Sequence, residues 1–210
     1  MPCKYVAGHG PLLQWALRSW AEVEPDTELI PLEIVQNKQY FFDLPCVAGM
    51  RPPGEASAFV AWNEQFLNFR RLELMGEFKK LGYKMPALVC KGAVVADGAT
   101  LSENVAVGAG AIIGPGCRIG MNARIGQGAI LGADAQVGNS AWVADGVQLG
   151  AGATLGANST LGSGVIVADG VAIGRQSILN HPGRRTQPLA DKTYLLARLE
   201  REVRIIDHSR

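Results

Sequence analysis

From Val95 the sequence can be cut every six residues without a gap, from VADGAT through LGADAQ and VGNSAW to IGRQSI. All fourteen hexads begin with Val, Leu or Ile, and ten carry Gly at the second position, with Ala or Ser in the others. The fifth position is always Ala, Val, Cys or Ser. Strict hexads of this kind fold as a parallel β-helix with three short strands per coil. The branched residue points inward and stacks on its equivalents in successive coils, about 4.8 Å apart. The small fifth residue fits the crowded inner side of a corner, and Gly at the second position is expected to relieve crowding at the turn. A hexapeptide period favours the left-handed form. Gly is the outlier of the composition, with 26 residues concentrated in this half.

Residues 1–86 follow a different pattern. Lys4 to Ala7 reads as a strand, followed by Gly8-His9-Gly10 and a helix from Pro11 to about Ala21, with Pro in the first turn. Residues 28–35 and 39–48 read as strand segments, and Ser57 to Trp62 as a buried strand. Asn63 to Tyr83 reads as an amphipathic helix built on Phe66, Phe69, Leu72, Leu74, Phe78 and Leu81. The order β, α, β, β, α, β predicts a small Rossmann-like α/β domain. The tail after His181 contains Leu196, Leu199, Val203 and Ile206 at a 3-4-3 spacing, with Asp191 as N-cap. This predicts a C-terminal helix that caps the open end of the β-helix, where bare strand edges invite aggregation, or joins subunits. The expected domains are therefore 1–86, 87–180 and 181–210.

A net charge of +1, with 19% charged residues, argues against a nucleic-acid or anionic-membrane surface. No apolar run is long enough to span a membrane, and MPCKYVAGHG has no signal-peptide core. Cys3, Cys46, Cys90 and Cys117 form no CxxC pair, so reduced thiols in the cytoplasm are expected. The repeat contains no histidine, which removes the three-histidine zinc site of a β-helical carbonic anhydrase. A structural β-helix, without chemistry of its own, is compatible with the repeat alone.

The hexads resemble those of hexapeptide-repeat acyltransferases. Several stretches narrow the likeness: VAGHG is similar to a glycine-rich GxGGHG turn without its first glycine, and FVAWNEQFLNFR to a strand followed by a GDN-type turn and an Arg-containing helix. ALVCKGAVVADGATL resembles an IHPSA segment with Cys90 where His is usual, and GPGCRIGMNARIGQGAILG matches nearly residue for residue. These motifs are those of the sialic acid O-acetyltransferase and bacillosamine N-acetyltransferase family. The resemblance implies a homotrimer that moves an acyl group from acetyl-CoA or another acyl-CoA to a nucleotide-linked amino sugar, with no metal. Its nucleotide end would bind the α/β domain at Gly8, His9 and Gly10, where a helix N-terminus attracts phosphate; otherwise the glycines make a tight turn and His9 is a surface residue.

In the family a His and an adjacent acid form a VxHD-like hexad, and these positions fall here on Asn139 and Ser140. A second His falls on Gln148, and a glycine whose N–H donates to the acyl oxygen falls on Ala157. NHPGRRTQP takes the place of a closing GVPAK segment, where Arg184 and Arg185 would pair with CoA phosphates or remain solvated. Neither Asn139 nor Ser140 takes a proton at neutral pH. Either positioning and backbone donors suffice, which suits an amine acceptor better than a hydroxyl, or catalysis is lost and the chain is a binding or assembly relative. His181 lies seven hexads beyond Asn139, an axial offset of about 11 Å that argues against its acting as a substitute. Trp142, large for an outer position, lines a cleft or packs against a neighbour.

Overall fold

The computed structural model describes residues 2–44, 49–198 and 201–205. The chain opens with strand β1 (Cys3–Gly8), helix α1 (Gly10–Val23), β2 (Glu28–Glu33), a short antiparallel hairpin of β3 (Val35–Gln36) and β4 (Phe42–Asp43), β5 (Ala56–Ala61) and helix α2 (Phe69–Lys80). β1, β2 and β5 form a parallel sheet in the order β2-β1-β5. Alternation along the strands divides its two faces. Val6 and Phe59 pack against Leu13, Ala16 and Trp20 of α1, while Tyr5, Ala58 and Val60 pack against Leu74, Met75 and Phe78 of α2. Each helix therefore covers one face with its apolar stripe.

Helix α2 begins six residues later than its periodicity predicts. Phe66, Leu67 and Asn68 all have positive φ, from 48° to 65°, which ends any right-handed helix before Phe69. The Leu67 carbonyl accepts a hydrogen bond from Asn158 Nδ2 at 3.0 Å, so this turn is held from outside its own segment.

Sixteen short strands follow, from β6 (Leu88–Val89) to β21 (Ile178–Asn180), and build a left-handed parallel β-helix. They stack into three sheets with a repeat of eighteen residues, as Val94, Ile112, Ile130 and Gln148 illustrate. The first hexad residues fill the interior: Val107, Ile113, Ile119, Ile125, Leu131, Val137, Val143 and Leu149 are all buried. Gly at the second position has a stricter cause than turn relief. A Cβ on Gly108, Gly132 or Gly138 would lie 2.5–2.7 Å from a backbone nitrogen of the next coil. The left-handed turn residue is instead the fourth of each hexad, as at Gly98, Gly110, Asn122, Asp134 and Ser140.

One corner differs from the other two. Its fourth residues are Asn104, Asn122, Ser140 and Asn158 rather than mostly glycine. Asn104 exchanges hydrogen bonds with the Val60 backbone and donates to Asn122 Oδ1, and Asn122 donates to Ser140 Oγ at 2.9 Å. The buried Arg71 of α2 donates to the Asn122 and Asn104 carbonyls. Burial, and then repulsion from Arg124, pull its guanidinium down to about 9, so it remains charged at neutral pH. This polar seam fixes the α/β unit to the β-helix.

The predicted C-terminal helix is corrected. Thr193–Leu196 forms strand β23, parallel to β21, and Val203–Arg204 forms β24, antiparallel to β23; Leu199 and Ile206 lie outside the described residues. The open edge of β21 offers the backbone a full row of partners, and that pairing overrides the leucine spacing. The expected closing loop likewise continues the coil: β22 (Gly183–Arg185) pairs with β19 (Val165–Val167), and Leu189 bridges Ile173.

Candidate functional site

Two concave regions bear on function, one in the α/β unit and one on the β-helix. The first lies beyond the carboxyl ends of the parallel strands, where open α/β sheets bind ligands. It is a cavity of about 480 Å³ lined by His9, Pro11, Leu12, Ile34, Val35, Gln36, Trp62, Asn63 and Gln65. Gly8 and Gly10 shape it differently. A Cβ on Gly8 would sit 2.3 Å from the Ala61 carbonyl oxygen, so close strand packing demands glycine there. Gly10 takes φ +56° in open space and starts α1. Between them His9 is extended at the N-cap, and its ring lies 6.2 Å from Trp62. Its Nδ1 is 2.6 Å from Oε1 of Glu33. Glu33 escaped the sequence reading, although the end of the second strand after a glycine turn is where such folds place a ligand-facing acid.

The second region runs along the face formed by β8 (Thr100–Leu101), β11 (Arg118–Ile119), β14 (Gln136–Val137), β17 (Thr154–Leu155) and β20 (Ala172–Ile173). Arg118, Gln136, Gly138, Thr154, Gly156 and Arg175 line its groove of about 580 Å³. Asn139 follows at the seam corner, exposed, with Oδ1 accepting from the Met121 N–H at 3.1 Å. Asp145, Asp169 and Asp191 cap the coil below in the same way, through Gln127, Ala151 and Arg175. Ser140 is fully buried, with its hydroxyl inside the seam, because its backbone takes the left-handed turn that points it there. Ala157 sits one coil beyond Asn139, and its N–H has no partner among the described residues.

Gln148 and Arg184 lie on another face. They are two strands apart on the sheet of β16 (Gln148–Leu149), β19 and β22, in register through Ile166, and both are exposed. Arg185 is held internally, against Glu202 at 2.8 Å and the Pro188 carbonyl at 2.7 Å. One chain thus groups Asn139 with Ala157, and Gln148 with Arg184, but keeps the two pairs on separate faces. Trp142 packs under Arg124, whose guanidinium carbon is 4.5 Å from its ring centre and 5.9 Å from that of Trp15. His181 is exposed near the Pro182 carbonyl.

The two regions are joined by one short segment. The cavity wall of Trp62, Asn63 and Gln65 runs on to Leu67, which rests on Asn158, and Asn158 donates its N–H to the Asn139 carbonyl at 2.9 Å.

Residues 98–133 match the bacterial transferase hexapeptide family (six repeats). No curated protein matches the chain in sequence. Among solved structures, the chain resembles a mutant of GDP-perosamine N-acetyl transferase from Caulobacter crescentus in complex with CoA and GDP-perosamine. Identity is 25%, each chain is covered to 92%, and the TM-score is 0.78. The acetyltransferase domain of PglB from Neisseria gonorrhoeae is 17% identical over 91% of this chain and 95% of its own, also at a TM-score of 0.78. WeeI from Acinetobacter baumannii is 14% identical over 97% and 100%, at 0.50. The likeness to hexapeptide-repeat sugar acyltransferases spans both the α/β unit and the β-helix. Among the described residues no helix is long and apolar enough to cross a membrane, and no cluster of three or more His, Cys, Asp or Glu is placed to hold a metal.

Proposed function

We infer that the protein is a CoA-dependent sugar acyltransferase that moves an acetyl or related acyl group to a nucleotide-linked amino sugar. The observation that carries this reading is the likeness, over 92% of each chain, to a transferase bound to CoA and GDP-perosamine. The α/β unit, a Rossmann-like domain in this reading, takes the nucleotide end in the His9 cavity, with Gly10 opening the helix N-terminus towards phosphate. The acyl-CoA lies along the β-helix, where the Ala157 N–H is available to the acyl oxygen and the exposed Arg184 to a phosphate. Asn139 marks the position from which an acceptor is presented, without serving as a base.

The separation of Asn139 and Ala157 from Gln148 and Arg184 is resolved by assembly. Val94, Ile112 and Ile130 stand in one exposed row on the face that carries Gln148 and Arg184. In a homotrimer this row is covered by a neighbouring copy, which brings the two groups of residues to a shared cleft. Free, buried thiols at Cys3, Cys90 and Cys117 suit a reducing compartment, and we place the protein in the cytoplasm.

A second reading, a non-catalytic relative that binds or assembles, is favoured by one observation. Asn139 and Ser140 both accept structural hydrogen bonds, from the Met121 N–H and from Asn122. Calorimetric titration with acetyl-CoA and GDP-perosamine separates the two. Saturable binding of acetyl-CoA near one per chain, with release of CoA thiol when both ligands are present, is expected for the transferase. A folded protein that binds neither ligand overturns it.

A further inference from the structure

Two buried cations meet where the α/β unit joins the β-helix, with little negative charge beside them. Arg71 is buried with only backbone carbonyls as partners. Arg124, on strand β12 (Arg124–Ile125), is 14% exposed and packs against two indole rings, Trp142 of the next coil and Trp15 of α1. Flanking rings fix the plane of a guanidinium and leave its N–H edge as the binding surface. That edge is poorly used. Its Nε is buried without a partner among the described residues, and the nearest carboxylate, Asp145, lies 3.4 Å from Nη2 and already accepts the Gln127 N–H. Glu64 is near enough to attract Arg124 but forms no ion pair with it among the described residues, and burial pushes its carboxyl up. A buried cation without a close counter-charge is destabilising, and a bound anion relieves it. The neighbours of Arg124 place it at the edge of the His9 cavity. Pro11 lines that cavity, and Trp15 stands one turn on along the same face of α1. Asn63 and Gln65 line the opposite wall, with Glu64 between them. Arg124 therefore lies where both segments framing the cavity meet the β-helix, and Trp142 beneath it ends the hexad that carries Asn139.

We propose that Arg124, clamped by Trp142 and Trp15, binds the diphosphate of the nucleotide-linked sugar from the β-helix side. This deepens the transferase reading above and rests on it. The N-terminus of α1 and the guanidinium edge then hold one diphosphate from two sides, the first through backbone N–H groups and the second through charged donors. The nucleotide stays in the α/β cavity, while the sugar beyond the diphosphate is directed across Trp142 towards Asn139, three residues earlier in the chain. Arg71 adds positive potential at the same junction without touching the ligand. Arg124 is thus a binding residue that ties the nucleotide site to one particular coil. CoA carries a diphosphate as well, so the test separates the two sources.

The test titrates the full chain by calorimetry with GDP and UDP, with guanosine and uridine, and with acetyl-CoA. Arg124→Met keeps an apolar chain against the rings but has no N–H edge. It is expected to weaken nucleoside diphosphate binding about tenfold or more, leaving the affinities for nucleoside and acetyl-CoA unchanged. Arg124→Lys keeps the charge without the planar fork and is expected to recover part of the loss. In the parent protein, the Arg124 Nε–H resonance should shift on addition of the diphosphate and stay in place with the nucleoside. Undiminished diphosphate binding by folded Arg124→Met overturns the proposal, as does an equal loss for diphosphate and nucleoside, or a loss for acetyl-CoA alone. An Nε–H resonance unmoved by saturating diphosphate overturns it without any variant. A parent protein that binds acetyl-CoA but neither diphosphate overturns this proposal alone, and one that binds none of them defeats the transferase reading as well.

Discussion

Gly138 and Gly128 show that glycines two residues apart in hexad position do unrelated work. Gly138, at a second position, sits where a Cβ would come within 2.5 Å of the Ala157 nitrogen, and backbone cannot retreat without separating two coils. Gly128, at a fourth position, has open space around it but a φ of +62°. Gly138→Ala is therefore expected to destabilise the fold by about 3 kcal/mol or more, through strain spread over both coils. Gly128→Ala is expected to cost only about 1 kcal/mol, the conformational penalty of an L-residue in the left-handed region. Denaturant midpoints of the two variants check the order, and equal losses would contradict it. The period and the inward residues were readable because each hexad repeats them. The reason for the glycine was not, since a contact between coils eighteen residues apart leaves no local sign. A closer reading of fourth positions, with their Gly, Asn, Asp, Ser and Gln, would have located the left-handed turns.

At the scale of elements, the seam between α/β unit and β-helix depends on Asn104, which satisfies the Val60 N–H at 2.8 Å and holds Asn122 in turn. Asn104→Ala leaves a buried donor at Val60 and unpairs Asn122 Oδ1, at an expected cost of about 2–3 kcal/mol. Native-state hydrogen exchange should show the loss as faster exchange at Val60, with the central coils unaffected. Uniform loss of protection along the β-helix would refute a local seam. The strands and α1 were legible because their patterns are local. The start of α2 was not, because three consecutive left-handed residues, with Leu67 held by Asn158, interrupt an apolar pattern that runs straight through them. The tail failed for a related reason: its leucines fit a helix when read alone, but the bare edge of β21 recruits the same residues as a strand.

For the whole molecule, the exposed row of Val94, Ile112 and Ile130 is the feature that a single chain does not use. Ile112→Glu places a charge in the middle of that row. It is expected to convert the proposed trimer to monomer in sedimentation experiments without altering the thermal midpoint by more than a few degrees. A parent protein that sediments as a monomer would remove the shared cleft. The residue candidates were legible as positions in a repeat, while their separation onto different faces became visible only once the coils were counted in space. His9 was legible as part of a turn, but Glu33 lies 24 residues away and meets it only through the pairing of β1 with β2. The α/β unit is also anchored to particular coils, at Asn104 and Asn122 through the seam and at Asn158 through Leu67, on either side of Asn139. The β-helix is thus a ruler with graduations of about 4.8 Å. Inserting or deleting one eighteen-residue coil between Asn122 and Asn139 would keep the contacts of coil on coil but part Leu67 from Asn158. It would also carry the donor a full graduation along the axis from the acceptor, so that catalytic reach in such a protein is set by counting.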